Sequence, residues 1–277
     1  MPYITVNGIR TFYTDEGAGE QTLLLIHGAT CDSHDWSAQL DAFSRVGRVI
    51  APDLRSHGRT SQADGGHRPQ DFVADLAALL GQIGAGPVVA VGHSLGALVA
   101  SALAVEHPSL VRAVVAVDPA YGFEASFAAG VADGFRGPDP MAVATAVLGA
   151  MEGSGEDVPP WLPTWHRRRA LGHAPEVVRE MFLSIFDTGA DKTVRPAADT
   201  YLMRRACPVL TVSTPASLKA KGMAEDWDKA VSPHPYSESL VLEDTGHWLF
   251  QERPAEFNAL VLEWLGGLPV AGGHSAL

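Results

Sequence analysis

A strand-forming run and an alanine-rich helical run meet at Gly92-His93-Ser94-Leu95-Gly96 with no spacer between them. The run before it, Pro87-Val88-Val89-Ala90-Val91, is apolar and rich in β-branched residues. The run after it, Leu95 to Glu106, is helix-prone. A chain that passes from strand to helix in so few residues must turn sharply, and the flanking glycines permit this without Cβ clashes. The rest of the chain is compatible with this junction. Tyr3–Val6 and Ile9–Tyr13 read as strands joined at Asn7-Gly8, a strong hairpin signal. Thr22–Ile26, Arg48–Ala51, Val88–Val91 and Val111–Val117 are near-continuous apolar runs, as parallel strands covered on both faces require. Phe72–Ile83 carries apolar residues at helical spacing and closes at Gly84.

After Asp118 the alternation stops. Up to about Ala206 there are Gly/Pro/Asp clusters and helix-like pieces but no clear buried strand. Strand signals resume at Val209–Val212 and Leu240–Leu242, and Ala255–Leu265 reads as a helix. The expected organisation is an α/β core over 1–118 and 207–265, a helical insertion over 119–206, and a mobile glycine-rich tail over 266–277.

The 277 residues carry a formal net charge of −12, which argues against nucleic acid or an anionic membrane as partner. No segment has the apolar length of a membrane span. The first residues lack a charged n-region and an apolar h-region, so no signal peptide is expected. Cys31 and Cys207 suit free thiols in a reducing cytoplasm, and neither stands in a metal-ligand spacing. The expected location is cytoplasmic, as monomer or homodimer.

Ser94 projects from the strand-to-helix turn with a helix N-terminus behind it, the geometry of a G-x-S-x-G nucleophile elbow. A serine hydroxyl is a weak nucleophile and needs a base, an orienting group and donors for the oxyanion. The expected base is His247, in a loop between the last apolar strand and the last helix. The expected oxyanion donors are the backbone N–H groups of Leu95, after the serine, and Ala29, in the loop His27-Gly28-Ala29-Thr30.

These residues resemble the α/β-hydrolase superfamily. The resemblance runs through Leu24-Leu25-Ile26-His27-Gly28, Trp36, Asp53-Leu54-Arg55-Ser56-His57-Gly58, Gly92-His93-Ser94-Leu95-Gly96 and Gly246-His247. It implies an eight-stranded, mostly parallel sheet with helices on both faces and a helical cap inserted after strand six. In the D-x-R-x-H-G loop, Asp53, Arg55 and His57 are expected to brace the site, and Ser56 stands where many relatives have glycine. Relatives usually place the triad acid after strand seven. Here Val209 to Ser217 contains no carboxylate, and Glu225, Asp226 and Asp228 read as a solvated helix start. Asp118 ends the apolar strand six, a position some branches of the family use, and is assigned as the acid.

The expected chemistry is cofactor-free and metal-free hydrolysis of a small ester or lactone with an apolar body. Carbon–carbon bond hydrolysis or other non-ester chemistry on the same residues, and a non-turnover small-molecule receptor of the same fold, are the alternatives. Aspartate-nucleophile chemistry, as in dehalogenases and epoxide hydrolases of this fold, is disfavoured by Ser94. Thr30, Trp36 and Trp248 are candidate pocket residues. The run His166-Arg167-Arg168-Arg169 reads as a solvated helix face.

Overall fold

Eight strands form one sheet in the order β1-β2-β4-β3-β5-β6-β7-β8. They are β1 (Tyr3–Val6), β2 (Ile9–Glu16), β3 (Thr22–Ile26), β4 (Arg48–Pro52), β5 (Val88–His93), β6 (Val111–Val117), β7 (Val209–Ser213) and β8 (Glu238–Val241). The computed structural model describes residues 3–155 and 158–269. Strands β1 and β2 pair antiparallel, as do β2 and β4, and every later pairing is parallel. All of β3, β5 and β7 is buried, which is why these segments read as unbroken apolar runs.

Helices follow the strands. In the first part of the chain they are α1 (Ser37–Phe43), α2 (Pro69–Gln82) and α3 (Leu95–Glu106). Helix α3 packs against β3, β5 and β6 and also against α2. Every residue of α3 from Leu95 to Val105 is buried. A helix enclosed on all sides needs small apolar residues, and its alanines meet that need. Among the described residues, six helices lie between β6 and β7: α4 (Ala125–Arg136), α5 (Pro140–Gly149), α6 (Leu162–Ala170), α7 (Pro175–Phe186), α8 (Ala190–Thr193) and α9 (Ala197–Leu202). The chain closes with α10 (Pro215–Lys221), α11 (Trp227–Ala230), α12 (Leu249–Glu252) and α13 (Pro254–Gly267), the last packed on α1.

Several readings shift. Strand β8 begins at Glu238, because pairing with β7 starts at Leu210–Glu238 and an edge strand tolerates polar residues. Gly266 and Gly267, placed in the tail by sequence, complete α13; the tail from residue 270 lies outside the described residues. Asp228 is not solvated. It is buried and meets the fully buried Arg205 at 2.5 Å, the Tyr121 hydroxyl at 2.6 Å and the Thr211 hydroxyl at 2.7 Å. The basic run on α6 is only partly solvated. His166 points inward, and Arg169 pairs with the buried Asp35 of the core. Among the described residues, no helix is long and apolar enough to cross a membrane.

Candidate active site

Ser94 is the single residue between β5 and α3, with φ +53° and ψ −115°. This conformation is strained for a residue with a side chain and persists because its surroundings fix it. The Ser94 amide donates to the Val117 carbonyl at 2.9 Å, and its carbonyl accepts from the amides of Ala97 and Ala120. The neighbouring glycines are required by close approach. A Cβ on Gly92 would lie 2.1 Å from the Gly96 carbonyl oxygen, and one on Gly96 would lie 2.1 Å from that of Ile26.

Asp118 follows the last residue of β6 with φ +39°, its amide donating to the Val212 carbonyl at 2.8 Å. Its Oδ2 lies 2.5 Å from Nδ1 of His247, and both residues are buried. Burial alone would raise the pKa of this carboxyl. The His247 ring and the Lys221 ammonium more than offset that and hold it below the ordinary carboxylate value. The His247 loop is tied to the helical insertion, since the His247 amide donates to the Met151 carbonyl at 2.9 Å. An imidazole held at Nδ1 by a buried carboxylate presents Nε2 as the basic nitrogen.

Ser94, Asp118 and His247 line one cavity. Ala29, His93 and Trp248 contribute to its wall from the core, and Leu148, Met151, Phe182 and Ile185 close it from the insertion. The amides of Ala29 and Leu95 have no backbone or side-chain acceptor among the described residues, so each is free to donate. Trp248 lines the cavity and stacks on His166 of α6 at 3.9 Å.

The other two pocket candidates lie elsewhere. The Thr30 hydroxyl donates to the Ala29 carbonyl at 2.6 Å, and Thr30 faces a different, polar pocket. Trp36 is fully buried against Phe250, with ring centres 4.3 Å apart, and does not line the cavity. The Thr30 hydroxyl is taken by the adjacent carbonyl and Trp36 by core packing, so neither lines the Ser94 cavity.

The bracing loop is dense in hydrogen bonds. Asp53 accepts from the amides of Ser33 and Arg59 at 2.8 and 2.7 Å, and Arg55 grips Asp75 with two bonds. His27 Nε2 accepts from the Leu54 amide at 2.9 Å. Ser56 adopts φ +61°, a value suited to glycine, yet its hydroxyl accepts from the Ala63 amide and meets His67 Nε2 at 2.8 Å. A glycine there could make neither contact.

Two residues of the site were not singled out from sequence. His93 packs on His247 with ring centres 4.4 Å apart and donates from Nε2 to the His247 carbonyl at 2.9 Å. Burial, with the His247 ring adding to it, pushes its pKa well below the ordinary imidazole value, so it stays a neutral donor. Its only sequence signal is its place as the variable residue of the elbow. Lys221 is buried at the end of α10 and also lines the cavity. Among the described residues, no cluster of three or more His, Cys, Asp or Glu is arranged to hold a metal ion.

Comparison with known proteins fits this architecture. The chain is 27% identical to an epoxide hydrolase A of Mycobacterium tuberculosis over 96% of its own length and 97% of the relative's. It is 38% identical to a bifunctional esterase/perhydrolase of Acinetobacter calcoaceticus over 35% of this chain and 36% of that one. A solved N-acyl homoserine lactone degrading enzyme superposes with a TM-score of 0.78 at 21% identity, covering 95% of this chain and 99% of the other. The sequence model of the alpha/beta hydrolase family matches residues 23–260, and with the sheet order and the Ser94 elbow already described, this chain belongs to that family.

Proposed function

We propose that this protein hydrolyses a carboxylic ester or lactone with an apolar body through Ser94, His247 and Asp118. The observation that carries the reading is the 2.5 Å contact between Asp118 Oδ2 and His247 Nδ1 in the cavity that also holds Ser94. In the first half-reaction His247 Nε2 takes the Ser94 proton as Oγ attacks the substrate carbonyl carbon. The amides of Ala29 and Leu95 stabilise the oxyanion, and the imidazolium returns its proton to the departing alkoxide. The acyl-enzyme then reacts with a water deprotonated by His247, releasing the acid and restoring the serine. Asp118 stays ionised throughout and stabilises the imidazolium. No metal or organic cofactor has a role in these steps.

The cavity wall supports an apolar substrate body. Its insertion side is made of Phe123, Leu148, Met151, Phe182 and Ile185, and we assign the helices between residues 119 and 206 the role of a cap over the reacting atoms. The relative named as an epoxide hydrolase does not redirect the reading. Epoxide opening in this fold uses a carboxylate at the elbow, and this chain has Ser94 there. The test is a panel of 4-nitrophenyl esters and γ- and δ-lactones of increasing chain length. Wild type is expected to show multiple turnovers on at least one series, and Ser94→Ala is expected to lose at least ~10³-fold of that rate. Binding without multiple turnover would favour a receptor.

A further inference from the structure

Strand β7 runs into α10 without a carboxylate, yet α10 sends a buried cation toward the acid on β6. Lys221 is the last residue of α10, and the helix is closed by Gly222 at φ +58°. The Lys221 ammonium donates to the Pro119 carbonyl at 2.6 Å. Pro119 directly follows Asp118. Lys221 also lines a second, more open chamber that shares Asp118, Ser217 and His247 with the Ser94 cavity. A buried ammonium with one carbonyl acceptor is costly unless an anion lies near it.

Two carboxylates, Asp118 and Asp228, act on the Lys221 ammonium through charge, while burial pulls its pKa below the ordinary lysine value. Asp228 is engaged by Arg205, Tyr121 and Thr211. Glu124 lies beside Arg195, which donates to the Lys221 backbone carbonyl. His247 and, behind it, His93 are imidazoles. Of the two carboxylates, Asp118 is the one with no lysine or arginine ion pair among the described residues. Its Oδ2 accepts from His247 Nδ1, its buried Oδ1 has no partner of good hydrogen-bond geometry among the described residues, and the Ser217 hydroxyl also helps to hold the carboxyl ionised. Lys221 makes no direct ion pair with it among the described residues, so it acts through the Pro119 carbonyl and through charge.

We propose that Lys221 is a positioning residue for the reaction: it pins the backbone behind Asp118 and supplies the charge that keeps this carboxylate an anion aimed at His247. The inference rests on the function proposed above. Without the lysine charge the buried Asp118 carboxylate takes up its proton at higher pH, so activity fails earlier on acidification.

The experiment measures the rate of fluorophosphonate labelling against pH in wild type, Lys221→Gln and Lys221→Arg, with Asp118→Asn alongside. Glutamine retains a donor for the Pro119 carbonyl and removes the charge; arginine retains both. Expected is an acid limb displaced to higher pH in Lys221→Gln, with labelling near neutrality slowed about tenfold, and a limb restored toward wild type in Lys221→Arg. Superposition of the Lys221→Gln and wild-type profiles overturns the proposal. If Lys221→Gln does not fold, Lys221→Met is read instead. Should neither fold while Lys221→Arg does, the charge serves folding and the proposal also fails. Wild-type labelling by Asp118→Asn would instead remove the triad reading itself, which separates the two failures.

Discussion

Asp118 is held against two unfavourable terms. Its φ of +39° is a conformation that costs a non-glycine residue about 1–3 kcal/mol. Its carboxylate is also removed from water, which disfavours the charge. The His247 ring and the nearby Lys221 reverse the second term. Replacing Asp118 with asparagine retains the shape and removes the charge, leaving His247 in the wrong tautomer. The expected result is a folded protein whose hydrolysis rate falls by roughly 10³- to 10⁴-fold, read from kcat on the best ester of the panel. Ser94 and Asp118 could be picked out in the sequence as candidates because each stands where a buried apolar strand stops, and His247 because it lies in the loop between the last strand and the last helices. Asp228 and Lys221 could not, because their burial depends on partners distant in sequence. Arg205, 23 positions before Asp228, turns a charge that reads as solvated into a core residue. Arg169 behaves likewise, since nothing local to α6 announces Asp35.

The junction between β5 and α3 sets the tolerances of the whole site. Gly92 and Gly96 approach so closely that neither can carry a side chain without moving backbone. Gly92→Ala is expected to destabilise the protein by about 3 kcal/mol or more, measured as a shift in the urea midpoint at unchanged slope. A smaller loss would mean that the strand and helix can separate there. The strands around this junction were readable because a strand buried on both faces must be apolar throughout. The edge strand β8 was read two residues late at its start, because Glu238 and Ser239 carry no such signal. The helices from α4 to α9 were recognised only as a helical insertion. Their boundaries follow from packing on one another, on Phe123 and on the His247 loop. The stack of His166 on Trp248 and the Met151 bond to His247 illustrate this, since they join segments remote in sequence.

Buried histidines give the whole molecule its pH response. Burial pushes His57 and His93 well below the ordinary imidazole value, and His173 is lowered in the same way. The unfolded chain therefore binds protons more readily than the folded one between the lowered values and about pH 6.5. Their contribution to stability is complete above that pH and is lost as pH falls through the window, at up to about 1.4 kcal/mol per pH unit for each group. Glu252, pushed up by burial, works in the opposite direction but is a single group. The melting temperature is expected to be nearly flat above about pH 7 and to fall from about pH 6.5 to about pH 5.5; a flat or rising profile over that lower interval would show that these rings are not neutral in the fold. The most direct test of the proposed chemistry is the intact mass of the folded protein after brief exposure to a fluorophosphonate near pH 7.5, beside Ser94→Ala. The expected result is one stoichiometric adduct on wild type and none on the variant. An unmodified wild type, or an adduct that persists in Ser94→Ala, would contradict an activated Ser94.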